Sequence, residues 1–326
     1  MKLSIGLPPS PDIVERARLA EALGYDTCWS FDSPAIVGDL WIALARVAEG
    51  TSRIKVGSAV AIPSLRHTLV TASALASVEQ LAPGRLVYAL GTGFTGRRML
   101  GQRALPWSFM ADHIRALRAL LRGESAVVEG HKVRMCHTRG MAPERPIDVP
   151  IVVAANGPKG LAVARELGDG VMCVGAPRPG FDWCALLVTG TVMEEGETFE
   201  SPRVFEAIGP GMAAAYHGAY DLGGPDAVDQ LPGGKGWRES IERTAEDERH
   251  FEIHRGHYTE LTERDRAHIA PSMGAVLTTS GTEETLRERF AALEAGGCTE
   301  IVYTPFGDVE REMRAMARAA RLPGAA

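Results

Sequence analysis

A (β/α)8 TIM barrel with a long insertion between its seventh strand and the helix after it is the architecture this sequence predicts. Two observations carry that expectation. Short apolar runs of strand length alternate with longer stretches whose apolar residues recur at helical spacing, and the alternation continues until eight strands are counted. Buried strands alternating strictly with amphipathic helices require a parallel sheet, and eight of them close most easily as a barrel. A chain of 326 residues exceeds an ordinary domain, yet α/β barrels reach this size as one unit, so residues 1–326 are read as a single domain.

The elements follow in order. Leu3 to Leu7 is a short apolar strand, and Ser10-Pro11 offers an N-cap with proline at the first helical position. Ile13, Ala17 and Ala20 form the helical stripe, Gly24 supplies a left-handed stop, and Thr27 to Phe31 resumes the strand pattern. The beat repeats with helix Val37 to Ala48, strand Ile54 to Val60, helix Thr68 to Leu81, strand Leu86 to Leu90 and helix Trp107 to Leu121. Residues Ala126 to Arg139 alternate around Glu129-Gly130 and read as a hairpin laid outside the barrel. The second half gives strand Ile151 to Ala155, helix Lys159 to Leu167, strand Gly170 to Val174, a helix near Asp182 to Met193 and strand Val204 to Ile208. Helix Thr282 to Ala295, strand Glu300 to Thr304 and helix Asp308 to Ala320 complete the count. Residues 212–273 fall between the seventh strand and its helix, far longer than an ordinary connection, and are expected to form a lid over the active face.

Bulk properties exclude several classes. No apolar run approaches the roughly 18 residues a membrane span needs, and the chain enters its first strand without a secretory leader pattern. A cytoplasmic enzyme is expected. The formal charge of −6 argues against a nucleic-acid partner, which requires a basic face. Cys28, Cys136, Cys173, Cys184 and Cys298 are scattered without C-x-x-C spacing, which suits free thiols and no thiolate metal site.

Gly91-Thr92-Gly93-Phe94-Thr95-Gly96 spells G-x-G-x-x-G, the pattern of a dinucleotide-binding turn. The context fails. An acid should follow about 20 residues on, at the end of the next strand. The acid at that distance, Asp112, lies inside the helix from Trp107 to Leu121. The glycines are therefore expected to let backbone approach a flat ligand at the end of a strand.

In a barrel the working residues stand at the C-terminal ends of strands. Those ends read Pro8-Pro9, Asp32-Ser33, Ala59-Val60-Ala61, Gly91-Thr92-Gly93, Ala155-Asn156-Gly157-Pro158-Lys159, Gly175-Ala176, Gly209-Pro210-Gly211 and Thr304-Pro305-Phe306. Small residues dominate, and a smooth floor suits a large planar cofactor held by backbone groups. The helix opening at Pro158 has free N–H groups facing its strand tip, an anion-binding arrangement to which Lys159 adds charge; the alternative is that Asn156 merely caps that helix. Asp32 is the one acid at a strand tip and is read either as a group that binds the ring or moves a proton, or as a turn-forming aspartate. Within the insertion His250, His254 and His257 stand at spacings of four and three. Gly256 interrupts their helix, so no metal is expected there, and His254, His257 or Tyr258 is expected to fold over the pocket as a proton donor to the substrate. Arg97 and Arg98 follow the glycine tip and Arg66-His67 opens the third helix; each is read as a cofactor contact or a solvated loop.

Five segments carry a family resemblance: "AEALGYDTCWSFDS", "TSRIKVGSAVAIPSLRHT", "GRLVYALGTG", "VVAANGPKGLAVARELGDGV" and "GTEETLRERFAALEAGGCTEIVYTPFG". In this order they resemble the luciferase-like flavin and deazaflavin oxidoreductases, in the style of methylenetetrahydromethanopterin reductases and coenzyme F420-dependent dehydrogenases. The resemblance covers residues 1 to about 210 and 275 to 320. It implies a (β/α)8 barrel, a cofactor ring over the strand tips, a small-molecule substrate and a homodimer. It further implies that Ala59, Val60 and Ala61 back the ring, with a non-prolyl cis peptide between Ala59 and Val60. Gly91, Thr92 and Gly93 are implied to touch the ring or its ribityl chain. Ala155, Asn156, Gly157, Pro158 and Lys159, with Gly175 and Ala176, are implied to hold the phosphate. The sequence departs from the sugar-phosphate dehydrogenase members, which have an acid-His pair after the second strand and a glutamate after the glycine tip. Here Ser33 follows Asp32 and Phe94 occupies the later place, which speaks against that substrate.

The expected activity is two-electron hydride transfer with coenzyme F420. The alternatives are an FMN-dependent monooxygenase, distinguished by oxygen consumption, and a non-catalytic flavin-binding relative. A metal hydrolase ranks lower, because Leu7-Pro8-Pro9 lacks the His-x-His expected at its first strand tip.

Overall fold

The computed structural model describes residues 1–325. Its strands are β1 (Lys2–Leu7), β2 (Thr27–Ser30), β3 (Lys55–Ala61), β4 (Leu86–Leu90), β5 (Ala126–Val128), β6 (His131–Val133), β7 (Ile151–Ala154), β8 (Gly170–Val174), β9 (Cys184–Thr189) and β10 (Glu300–Thr304). All but β5 and β6 pair in parallel and close into one barrel in the order β1-β10-β9-β8-β7-β4-β3-β2. β5 and β6 pair antiparallel as the expected hairpin outside the barrel, with positive φ at both Glu129 and Gly130 of its turn.

Helices α1 (Ile13–Leu23), α2 (Leu40–Gly50), α3 (Thr68–Leu81), α4 (Phe94–Arg98), α5 (Trp107–Leu121) and α6 (Pro158–Leu167) lie between the earlier strands. Gly24 ends α1 at φ 92°, as its sequence position implies. The second helix starts later than expected, at Leu40, because the Asp39 carboxylate takes the amides of Trp41 and Ile42 and sets the start there. Inside the barrel, Trp29, Val87, Val152, Met172 and Val302 pack with Ala59, Ala89 and Ala185. At its foot the buried Glu300 accepts the indole N–H of Trp29 at 2.8 Å and of Trp183 at 2.6 Å, plugging the closed end with a satisfied carboxylate.

The seventh barrel strand corrects the sequence expectation. It is Cys184–Thr189, a run expected to be helical, while Val204 to Ile208 lies inside helix α7 (Pro202–Asp229) and so is not a strand. The physical reason is local. Residues 184–189 are a short, almost wholly apolar run, the pattern that periodicity alone cannot assign. Residues 204–208 follow Ser201-Pro202, a proline-led helix start like that at residue 158. Gly209, Pro210 and Gly211, expected at a strand tip, are consequently buried within α7.

Between β9 and α12 (Glu283–Ala295) the chain makes an excursion, residues 190–282, that contains the expected insertion and is folded as α7, α8 (Gly234–Ile241), α9 (Arg249–Ile253), α10 (Glu263–His268) and α11 (Gly274–Leu277). α13 (Val309–Ala319) closes the ring of helices after β10. The excursion has its own apolar core around Ile208, Met212, Tyr216, Trp237 and Ile253. Its neck is tied: Thr279 N donates to Thr189 O at 2.7 Å and Met193 N to Gly281 O at 2.8 Å. Gly190 is required at that neck, since a Cβ there would stand 1.9 Å from the Thr279 carbonyl oxygen. α7 turns sharply at Gly224, whose φ of 75° lies outside helical space.

Candidate active site at the barrel mouth

The C-terminal ends of β3, β4, β7 and β8 make the floor of the mouth. The Ala59–Val60 peptide is cis, as the resemblance implies, and the β3/β4 register shifts between Ser58 and Ala61. This bulge turns Val60 toward its neighbour strand. Gly91 lies against it: a Cβ at Gly91 would stand 2.7 Å from Val60 Cγ2 and 3.4 Å from Ala154 Cβ. Its amide donates to Ala61 O at 3.1 Å. The floor here is flat for want of room.

Gly93, at φ 84°, ends the tip and starts the five-residue helix α4. Thr92 O accepts the amide of Leu105 at 2.8 Å, pinning the far side of the loop. Gly96, the third glycine of the motif, faces Asp32, whose carbonyl oxygen would be 2.8 Å from an added Cβ. All three glycines thus permit close packing around the mouth, and none forms a dinucleotide turn.

Asp32 is tied down. Its Oδ2 accepts the amide of Ile62 at 2.9 Å, which fixes the residue following Ala59-Val60-Ala61. Burial pushes its pKa up to about 6, the Ile62 amide opposing the rise and the Asp39 carboxylate adding to it.

On the opposite side, Ala155 N donates to Met172 O, joining β7 to β8. Asn156 does not cap α6. Its Oδ1 accepts Val174 N at 3.1 Å and Arg178 Nη2 at 3.3 Å, and no side chain caps the α6 N-terminus. Gly157, Pro158 and Lys159 are exposed there. Gly175 and Ala176 face solvent on the adjacent tip, and nothing lies within 4 Å of a Cβ built at Gly157 or Gly175. An uncapped helix start beside two open glycines, with Lys159 and Arg178 nearby, is the chemistry of a phosphate cradle. Arg178 was not legible in the sequence as part of this group.

A cavity of about 610 Å³ opens at the ends of β8 and β9, bounded by Phe94, Asn156, Gly175, Thr189, His257 and Tyr258; Ala59 to Ala61 and Gly91 to Gly93 do not line it. A larger one, about 810 Å³, lies outside the barrel between α3, α5 and the hairpin, away from the strand tips. The excursion supplies the wall of the mouth. Phe94 meets the ring of His254 edge-on at 5.5 Å and that of His257 at 6.2 Å between centroids. Of the two histidines expected to donate protons, His257 lines the cavity, while His254 is fully buried behind it with Nε2 on Asp221 Oδ2 at 2.7 Å. His250 is elsewhere, its ring packed on Phe251. In its place stands His217 of α7, whose Nδ1 is 2.8 Å from Nδ1 of His257. Burial lowers the pKa of His217, against the pull of Asp265, and holds that of His257 well below the ordinary histidine value, the neighbouring imidazoles adding to the effect.

The expected arginines are engaged within the protein. Arg97 bonds Ser64 Oγ and Arg103 O, Arg98 lies 3.7 Å from Asp221, and Arg66 pairs with Asp39 at 2.6 Å. His67 caps α3 through the amide of Leu69.

These features define a class: a (β/α)8 barrel with a flat, glycine-floored mouth, a phosphate-type cradle at one side and a helical wall at the other. Residues 4–300 match the family of luciferase-like monooxygenases, and the chain belongs to that family. It is 33% identical over 166 residues to a 5,10-methylenetetrahydromethanopterin reductase of Methanolobus tindarius, covering 50% of each chain. It is 31% identical over 183 residues to an F420-dependent glucose-6-phosphate dehydrogenase of Beutenbergia cavernae, covering 50% of this chain and 52% of that one. The chain thus spans about half the length of the curated relatives it matches. Among solved structures, the coenzyme F420 dependent tetrahydromethanopterin reductase of Methanopyrus kandleri superposes with a TM-score of 0.68 at 19% identity, covering 98% of this chain and 97% of that one. At that identity the likeness shows the fold.

The raised pKa of Asp32 gives a testable pH dependence. An unfolded aspartate releases its proton near 4, whereas folded Asp32 keeps it to about pH 6, so stability falls as pH rises between those values. Above pH 6 the buried charge costs up to about 3 kcal/mol. Asp32→Asn keeps an acceptor for Ile62 without the charge. Urea melts are expected to show it more stable than the parent by roughly 1–3 kcal/mol at pH 8 and nearly equal at pH 4. An equal difference at both pH values would contradict the assignment.

Proposed function

We propose that this protein is an oxidoreductase that uses coenzyme F420 to pass a hydride to or from a small organic substrate. The observation that carries the proposal is the pairing of a flat floor at Gly91 with an uncapped helix start at Gly157-Pro158. A planar ring fits the first and a phosphate the second. F420-dependent relatives among the matched proteins support the same cofactor. Bound there, a deazaflavin supplies a carbon that gives or takes a hydride, and it does not activate oxygen.

The chain's own residues do the rest. Ala59, Val60 and Ala61 back the ring from β3, held in place by Asp32 through the Ile62 amide. Asp32 acts as a positioning residue, since its carboxylate is spent on that amide. Gly91, Thr92 and Gly93 allow the ring and its chain to lie against backbone, and Ala155 to Lys159 with Gly175 and Ala176 take the phosphate, assisted by Arg178. Phe94, Tyr258 and His257 close the substrate side and keep water out, which raises the weight of every polar contact in the mouth. The proton side of the reaction is assigned to the histidine cluster, of which His257 reaches the cavity and His254 supports it from behind. The segment 212–273 serves as the lid that brings those histidines over the floor.

The chain is further proposed to act in the cytoplasm, in keeping with five free cysteines. It is proposed to pair with a second copy through the face made by α2, α3, α5 and the hairpin, where Ile42, Val70, Phe109 and Val127 are exposed, the last two lining the outer cavity. Sedimentation equilibrium is expected to give the mass of two chains and Val127→Glu to shift it toward one; a parent protein of single-chain mass contradicts the pairing.

The functional test is anaerobic. The protein supplied with oxidised F420 and a panel of alcohols, or reduced F420 and the matching carbonyls, is expected to change the cofactor's redox state with at least one pair and to consume no oxygen in air. Gly157→Asp, at a position with open space around it and an extended backbone that accepts any residue, places a carboxylate beside the phosphate and is expected to weaken F420 binding about 10- to 100-fold with the fold intact. Oxygen uptake with reduced FMN, and none of these changes with F420, would replace the proposal with the monooxygenase reading.

A further inference from the structure

The histidine cluster beside the mouth has the construction of a metal centre. His217, His254 and His257 each present a ring nitrogen within 4.8 Å of the others. They come from α7 and from the chain around the end of α9, so the excursion's own packing converges them. His217 and His254 are fully buried. His254 commits Nε2 to Asp221, which leaves Nδ1, buried and without a hydrogen-bond partner. His217 turns its Nε2 toward Asp265 Oδ1 at 3.8 Å and its Nδ1 toward His257. Both carboxylates are themselves held: Asp265 accepts Trp237 Nε1 at 2.7 Å and Thr262 Oγ1 at 2.6 Å, and Asp221 lies 3.7 Å from Arg98. A carboxylate on the outer nitrogen of a histidine, leaving the inner nitrogen free, is how proteins orient imidazole toward a metal.

We propose that His217, His254 and His257 bind one divalent first-row metal ion of the zinc class through their inner ring nitrogens, leaving a fourth position open toward the barrel mouth. Three imidazole nitrogens suit zinc and its neighbours better than calcium or magnesium, which take oxygen. Metal–nitrogen bonds of about 2.0–2.1 Å at tetrahedral angles place ligand nitrogens about 3.3 Å apart, so His217 and His257 must separate by about half an ångström and the more distant nitrogens, within 4.8 Å, must close in by side-chain rotation. The fourth position falls on the side where His257 meets the cavity, and it takes an oxygen ligand, either water or a carbonyl or alkoxide oxygen of the substrate. The site consists of protein ligands alone and does not rest on the deazaflavin reading; with the ion bound, His254 and His257 would serve as its ligands in place of the proton-donating role given them above. The sequence singled out His250 in place of His217, and the interruption at Gly256 does not prevent convergence because His217 arrives from another helix.

The test uses the full chain, stripped with a chelator and free of cofactor. Zn2+ titrated in competition with a chromophoric indicator is expected to bind at one ion per chain and to raise the melting temperature, and Co2+ to give the visible bands of a four-coordinate site. His217→Gln and His257→Gln are each expected to weaken binding at least 100-fold, while His250→Gln leaves it unchanged. Circular dichroism identifies any variant that fails to fold. The parent protein's stoichiometry then decides. No stoichiometric ion in the parent protein would overturn the proposal and leave His217 and His257 as a pair sharing one proton. Unchanged binding in a folded His217→Gln, His257→Gln double variant would overturn it equally.

Discussion

The mouth of this barrel depends on there being no room for a side chain at Gly91. Val60 of the β3 bulge and Ala154 of β7 close on that position from both sides, so any larger residue must displace one of them. Everything proposed about the floor follows from that crowding. The bulge needs its far end fixed, and the Asp32 carboxylate fixes it through the Ile62 amide at the cost of a buried acid whose pKa stands near 6. Gly96 in turn lets α4 come down on Asp32, and α4 carries Phe94 to the rim. One close approach therefore connects the floor, its anchor and its wall.

The wall belongs to a second, smaller core. Trp237, Tyr216 and Met212 pack the excursion into a helical body tied to β9 at Gly190 and Thr279, so it is held at its root. That body delivers His257 to the mouth, backed by the buried His217 and His254 and by Asp221 and Asp265, while the strand tips carry almost no ionisable groups. In the proposed reading the labour divides physically: the barrel would offer small residues and backbone to a flat ring, and the excursion ionisable groups to the substrate side.

Much of this was legible in the sequence where the local signal was unambiguous. Gly24, the Glu129-Gly130 turn and the Pro158 helix start each have a residue whose backbone preference fixes the structure around it. The family resemblance located the cis peptide at Ala59–Val60, which no periodicity marks. Residues 184–189 misled because a six-residue apolar run has no period to read, and 204–208 because the Ser201-Pro202 start was passed over. That error hid His217. Once α7 is known to be helical, His217 and Asp221 stand one turn apart on one face, and His254 with His257 answer them from the other side. Asn156 looked like a cap by position alone, whereas its side chain is drawn to Val174 and Arg178, partners that only the fold brings near.

The floor at Gly91 and the cradle at Gly157-Pro158 are proposed to recognise a deazaflavin together. Parallel titrations of the purified protein with oxidised coenzyme F420 and with FMN, followed by tryptophan fluorescence, test it most directly. Saturable quenching with F420, at a concentration at least ten times lower than any seen with FMN, is the predicted result. Tight binding of FMN alone, or of neither, would contradict it.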